Sequence, residues 1–468
     1  MLIDRSGPRR LGGFRTCSPA RLLASETPIT LIARLQEKNP LPEGAMPVAV
    51  GLAISGVATY AFFGFASRGL SGADYSTLGT MWAWLFAVGN GIMQPLEQEV
   101  SRAVSDRRAQ GIGPAPVIKR AVTIGALFSA AVVVLTVVAH LLAPDRSFFS
   151  SGSLTAAFIV GLLGFCAGHL TRGVLSSHHR FGGYARFFSF DGVGRVALAG
   201  VIAAVGIKTI GPWALVLAVT PFIGVGAALF GQKNLLEPGP EAPWAELTAN
   251  LGWLLLGLCS IALVVQGGTI AVNYLATPDQ ADAAGVFLNG LQTARIPLFV
   301  FQAILASLLP KLSRLASTGA YDEFTGQLRK LVVLILGIGV LTTAAAALLG
   351  PTFINIVFKS SSTLSSRDLA LLAAAFILIM ATICLDQGLV ALQGHSRMAI
   401  GWLVALAVFV GVTALGTDLF LRVELGLLAS SLVAFTWMSA FLVERLRSHA
   451  RIHTVDASEA LAEMPFPQ

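Results

Sequence analysis

The chain has 468 residues, of which 55% are hydrophobic and 12% charged, with a mean hydropathy of +0.74. Soluble domains carry about 25% charged residues, so this composition excludes them and requires an integral membrane protein. A net charge of +7 and a pI near 9.5 do not indicate nucleic acid, because the basic residues beyond the N-terminal tail lie mostly in short loops between apolar runs.

Residues 1–46 hold seven basic and four acidic residues and no long apolar run. They are predicted to be a disordered cytoplasmic tail, without the short apolar region and cleavage site of a secretory signal. Two other readings are that Met46 is the true start, and that the tail is a basic segment for anionic headgroups. Apolar runs of about 20 residues then predict twelve helices, at roughly 47 to 68, 76 to 97, 120 to 143, 153 to 176, 187 to 207, 211 to 231, 248 to 274, 284 to 309, 330 to 350, 368 to 392, 398 to 420 and 424 to 444. Barrel strands would alternate polar and apolar residues instead.

Basic residues concentrate in alternate loops, among them Arg102, Arg107, Arg108, Lys119 and Arg120, then Arg180 and Arg186, Lys233, the group from Lys311 to Lys330, Arg397, and Arg445, Arg447 and Arg451. That set is assigned to the cytoplasm, which puts both termini inside the cell membrane. Glu237-Pro238-Gly239-Pro240-Glu241-Ala242-Pro243 cannot continue a helix and marks a cytoplasmic linker at 232–247. It divides a six-helix lobe at 47–231 from another at 248–446, with a cytoplasmic tail at 447–468. Six spans per lobe make the repeat parallel, with the cleft between lobes as the natural substrate site. An internal echo supports this: Val100-Ser101-Arg102-Ala103 leading to Lys119-Arg120 recurs about 212 residues later as Leu312-Ser313-Arg314-Leu315 leading to Arg329-Lys330.

An ionisable group at mid-span costs roughly 2.5 to 3.5 kcal/mol, so each one there is a candidate for function. Arg295 stands beside Pro297, which removes a backbone donor and kinks the helix. Its guanidinium suits bidentate contact with a phosphate, or else it is a structural arginine bonded to carbonyls. Asp191 and Arg195, four apart on one helix face, can pair with each other or form a headgroup site together with Arg172. Asp386, beside Gln387, is either an ion-coupling carboxylate or a satisfied buried acid. Gln266 and Asn273 share a face and can bond sugar hydroxyls or neighbouring helices. Glu97, Glu99 and Arg102 read as a solvated helix end, His169 and His140 as packing residues, and His178-His179-Arg180 as a solvated loop. Cys166, Cys259 and Cys384 read as small packing residues. No Gly-Lys dipeptide, His-Glu-x-x-His or Cys-x-x-Cys occurs, so no nucleotide loop, metal site, cofactor or enzymatic activity is expected.

Several short phrases resemble the multidrug/oligosaccharidyl-lipid/polysaccharide (MOP) flippase superfamily, and within it the bacterial polysaccharide-export branch. They are Ala284-Gly285-Val286-Phe287, Ala294-Arg295-Ile296-Pro297 and Leu308-Leu309-Pro310-Lys311-Leu312-Ser313. In the first half they are Ala73-Asp74-Tyr75-Ser76, Leu96-Glu97-Gln98-Glu99, Arg172-Gly173, Arg180-Phe181 with Tyr184, and Asp191-Gly192 with Arg195. The resemblance implies an all-α membrane protein, with twelve helices in two six-helix lobes around a central cavity. It also implies alternating access that flips a polyprenyl-pyrophosphate-linked oligosaccharide for cell-surface polysaccharide assembly, with Arg295 holding the pyrophosphate. Gln292 stands where the lipid II branch carries a basic residue, and residues 47 to 67 lack the carboxylate of the drug-antiporter branch. The expected partners are the lipid-linked oligosaccharide, membrane lipids and polysaccharide assembly enzymes. The rival functions are a cation-coupled exporter of small amphiphiles, a lipid II flippase and a non-transporting scaffold.

Overall fold

Residues 45–142, 148–248, 251–358 and 364–462 are described by a computed structural model, and all regular elements among them are helical. The N-terminal tail lies outside these residues except for its last two. The first half comprises α1 (Ala45–Gly69), α2 (Gly72–Val88), α3 (Gln94–Ala109), α4 (Ala115–Leu142), α5 (Gly152–Ser177), α6 (Phe181–Val205) and α7 (Ile210–Leu229). The second comprises α8 (Leu251–Leu275), α9 (Ala281–Ala294), α10 (Ile296–Ser317), α11 (Tyr321–Phe358), α12 (Ser366–Ala391), α13 (His395–Ala414) and α14 (Leu419–Ala462). Serines start several of them. Ser71 accepts from the Asp74 N–H at the head of α2, and Ser365 and Asp368 form a capping box on α12. Gly206, at φ 77°, supplies the left-handed residue that ends α6.

Among the described residues, ten helices are each long and apolar enough to cross a bilayer. The other two of the twelve spans are interrupted. A five-residue π turn, Gly89–Met93, separates α2 from α3, and Arg295 stands alone between α9 and α10. The second span accordingly continues to Ala109, which corrects the expectation that Glu97 sits near a helix end. Helix α13 stops at Ala414 rather than near 420, and Phe420 belongs to α14. On α4 and α11 the large apolar side chains face outward, Leu127, Val134 and Leu135 on one and Val340, Leu341 and Leu348 on the other. Only lipid can cover such a surface. The protein is a multi-pass membrane protein.

The two halves use the same helix pairings. In the first, α1 packs on α6, α6 on α7, α5 on α7, α4 on α5, and α3 on α5; in the second, α8 packs on α13, α13 on α14, α12 on α14, α11 on α12, and α10 on α12. Between the halves, α2 lies on α8 and α1 on α10, while α2 and α9 meet directly. That last seam is close because glycines line it. A Cβ on Gly285 would stand 3.1 Å from the Gly72 carbonyl oxygen, and one on Gly79 would fall 2.2 Å from a Leu288 methyl. Tyr75 Oη donates across the seam to Asn289 Oδ1 at 2.6 Å.

The segment joining the halves is fastened to the loop between α3 and α4. Buried Arg107 donates from Nε and Nη2 to the Glu246 carboxylate at 2.8 and 3.1 Å, from Nη1 to the Pro240 carbonyl at 2.8 Å, and from Nη2 to the Glu241 carbonyl at 3.0 Å. The Ala115 N–H donates to the Glu237 carbonyl at 3.1 Å, and the Arg120 guanidinium lies 4.5 Å over the Trp244 ring. Gly113 and Gly239 allow this contact, since a Cβ on Gly113 would lie 1.9 Å from the Pro238 oxygen.

Candidate functional site

Interrupted helices at corresponding positions of two repeats free backbone groups that need polar partners within the membrane. Here the second and eighth spans are the interrupted pair, and the polar side chains gather beside both breaks. In the second span the π turn is followed by Pro95, and Glu97 lies one turn beyond the break.

Glu97 is the centre of a buried quartet drawn from three helices. Its Oε2 accepts from Arg172 Nη2 at 2.7 Å and Nε at 3.2 Å, and lies 2.7 Å from His169 Nδ1; its Oε1 accepts from Tyr184 Oη at 3.0 Å. The same His169 nitrogen stands 2.6 Å from Arg172 Nη2. A neutral imidazole can therefore offer its proton to the carboxylate or its lone pair to the guanidinium. Rings of Phe187 and Phe188 lie 5.0 Å from the Arg172 guanidinium carbon. His169 is thus a polar partner and not a packing residue, and Arg172 pairs with Glu97 instead of joining Asp191 and Arg195.

Asp191 and Arg195 form their own pair on α6, with Arg195 Nη2 donating to Asp191 Oδ2 at 2.5 Å and Nη1 to Thr59 Oγ1 on α1 at 3.1 Å. Trp82 of α2 lies under the guanidinium, 4.9 Å away. Charge in the first half is therefore balanced: both buried arginines beside the break have a carboxylate.

The second half differs. Arg295, 4% exposed, donates from Nη1 to Gln266 Oε1 at 2.9 Å and to Gln292 Oε1 at 3.4 Å, and from Nη2 to the Val265 carbonyl at 2.5 Å. Every one of these acceptors is neutral. The Phe376 ring of α12 lies 5.1 Å from the guanidinium, and Nε has no hydrogen-bond partner among the described residues. Tyr60 of α1 closes the site from the first half, donating to the Gln292 carbonyl at 3.0 Å. Arg295, Gln266 and Gln292 are thus brought together, as a cation in a neutral cradle at the break.

Asn273 is elsewhere. It accepts from Ser76 of α2 and donates to the Thr269 carbonyl at 3.0 Å, so it ties the halves together and does not reach Arg295. Asp386, also buried, accepts from Trp402 Nε1 of α13 at 2.6 Å through one oxygen, while the other has no partner among the described residues. Phe376 and Asp386 are ten residues apart on α12, about 15 Å along the axis, so the acid and the Arg295 cradle are separate places.

Sequence patterns do not indicate Tyr60, Trp82, Phe376, Trp402 or the Glu97 quartet, in which His169 and Arg172 are one turn apart on α5 but reach Glu97 and Tyr184 only by tertiary contact. The signal available for Glu97 was its position one turn after a Gly-Asn-Gly stretch and a proline within an apolar span.

No family model matches the chain. It is 26% identical over 407 residues to the uncharacterized protein Rv3630 of Mycobacterium tuberculosis (strain ATCC 25618 / H37Rv), covering 83% of this chain and 87% of that one. To the uncharacterized protein Rv1510 of the same strain it is 25% identical over 425 residues, covering 87% and 93%. Among solved structures, it superposes with a TM-score of 0.64 and 13% identity on the outward-facing conformation of a multidrug resistance MATE family transporter of the MOP superfamily, covering 87% of this chain and 95% of that one. With the inward-facing conformation of such a transporter the TM-score is 0.61 at 12% identity, covering 90% and 99%. With the Vibrio cholerae MATE transporter VcmN it is 0.60 at 15% identity, covering 90% and 98%. The fold is that of the MATE transporters of the MOP superfamily.

Proposed function

We infer that the protein is an alternating-access transporter of the cell membrane, with both termini cytoplasmic, that flips a polyprenyl-pyrophosphate-linked oligosaccharide from the inner to the outer leaflet. One observation carries this reading: Arg295 is buried at a helix break between the halves with only neutral hydrogen-bond partners among the described residues. Burying a charge without a counter-ion costs several kcal/mol. A doubly anionic pyrophosphate supplies the missing charge, and a planar guanidinium holds it in two-point geometry. Gln266 and Gln292, now engaged with Arg295, are the neighbours that would turn to sugar or phosphate oxygens when the substrate takes their place. With the termini inside, the α2–α9 seam belongs to the outer side of the membrane in this reading.

A second reading, the cation-coupled export of small amphiphiles, is favoured by Asp386, whose buried carboxylate retains an unpartnered oxygen, and by the MATE fold itself. Translocation of a polyprenyl-pyrophosphate oligosaccharide in proteoliposomes separates the two. The flippase reading expects transport by wild type and by Asp386→Asn, and loss of transport in Arg295→Ala that still inserts and elutes as a monodisperse protein. Transport of a cationic amphiphile that survives Arg295→Ala and stops in Asp386→Asn would establish the exporter instead.

A further inference from the structure

Two tight reversals of the first half enclose an open cavity between them. His179, at φ 55°, turns the chain from α5 into α6 within three residues, and Gly231, at φ 73°, follows the end of α7. The cavity measures about 590 Å³, and its walls include His179, Arg180 and Arg186 on one side and Gln232 on the other, with no Asp or Glu among them. Gln232 reaches this position because Gly183 has no side chain: a Cβ there would lie 2.8 Å from Gln232 Nε2.

The protein does not neutralise the two arginines. Arg180 makes no hydrogen bond or ion pair among the described residues, and Arg186 gives Nη1 to the Phe230 carbonyl at 3.1 Å. Two guanidinium groups that share one cavity without an acid repel each other, and a phosphate relieves that repulsion with oxygens matched to their donors. The surroundings select where the phosphate comes from. Here α5 ends, α6 begins and α7 ends, and all three are long and apolar enough to span a bilayer, so the cavity lies at the level where hydrocarbon meets water. Arg186 is followed on the same face of α6 by Phe190, Val193, Ala197 and Val201, all exposed, Phe190 by 50% and Val193 by 56%. A molecule with its phosphate in the cavity therefore has an apolar face beside it for hydrocarbon chains.

We propose that this cavity binds the phosphate of an anionic membrane phospholipid, held by Arg180 and Arg186, with the acyl chains lying along Phe190 and Val193. The site is built from first-half residues alone and is separate from the Arg295 cradle. It does not depend on which molecule the protein carries.

Native mass spectrometry of the full-length protein, released from detergent and titrated with phosphatidylglycerol, tests this. Wild type should bind one phosphatidylglycerol more tightly than it binds phosphatidylcholine. Arg180→Gln/Arg186→Gln should weaken that first binding about 30-fold, whereas Arg314→Gln/Arg329→Gln, which removes the same charge from exposed positions of the second half, should change it by no more than about twofold. Glycerol 1-phosphate, a phosphate without acyl chains, should not displace the lipid at equal concentration. An affinity unchanged in Arg180→Gln/Arg186→Gln, or lowered equally in the second-half variant, overturns the proposal. Displacement by glycerol 1-phosphate makes the cavity a site for soluble phosphates and overturns the lipid assignment. Equal affinity of wild type for the two lipids overturns it as well, and this comparison decides the matter where the double variant does not fold.

Discussion

Replacing Glu97 by Gln keeps the size of the side chain and removes its charge, which leaves the Arg172 guanidinium between Phe187 and Phe188 without a counter-ion. Only 12% of the Glu97 side chain and 11% of the Arg172 side chain are exposed, so water can replace little of what is lost. Breaking a buried pair from one side costs about 3 to 5 kcal/mol, whereas removing both charges together costs far less. Arg172→Gln alone should carry a similar penalty, because it strands the carboxylate with only His169 and Tyr184. Additivity would then make the double variant about 6 to 10 kcal/mol less stable, while a true pair should bring it back to the cost of one single change or below. Equilibrium unfolding in mixed micelles of mild detergent and SDS measures all four proteins, and the coupling expected is about 3 kcal/mol or more. A double variant whose loss equals the sum of the single losses would refute the claim that the quartet acts as a unit.

Three further outcomes follow from other contacts. Gly113→Ala should detach the segment joining the halves, because the new Cβ meets the Pro238 carbonyl at 1.9 Å with backbone on both sides; limited proteolysis should then cut between Gln232 and Glu246 many times faster than in wild type. Gly285→Val should wedge α9 from α2, since its Cβ already lies 3.1 Å from the Gly72 carbonyl, and a Leu288→Cys reporter in a background without native cysteines should become reactive to a water-soluble thiol reagent. Trp402→Phe takes away the hydrogen bond to Asp386 and should lower stability by about 1 to 3 kcal/mol, while Asp386→Asn, which keeps an acceptor for the indole, should cost less in the same unfolding assay.

Much of this architecture was legible in the sequence, because hydropathy over about 20 residues reports directly on a bilayer's thickness. The two spans that break are the second and the eighth. At the eighth span Pro297 predicts a kink and Gln292 stands in the same stretch as Arg295, whereas Gln266 reads only with Asn273 on the span before. The second span reads as one apolar run from 76 to 97 with Pro95 near its end, so Glu97 reads as a solvated end. Its partners stand 72, 75 and 87 residues away along the chain, a separation that helical periodicity does not carry. Asn273 failed for the opposite reason. Sharing a face with Gln266 seven residues earlier, it still lies about 10 Å farther along the axis, and Ser76 meets it there.

Sequence alone makes residues 232–247 a spacer between two halves. Held by Arg107, Ala115 and Arg120, the segment from Glu237 to Glu246 instead travels with the first half as part of its surface. Leu247 and Leu251 continue the attachment, packed in one apolar cluster with Leu96, Val100 and Val117 of the first half. A chain severed near Lys233 would hand this segment to the second fragment, which would then bring the piece that caps its partner, in the manner of an exchanged arm. Two separately made halves would have a handle by which to find each other.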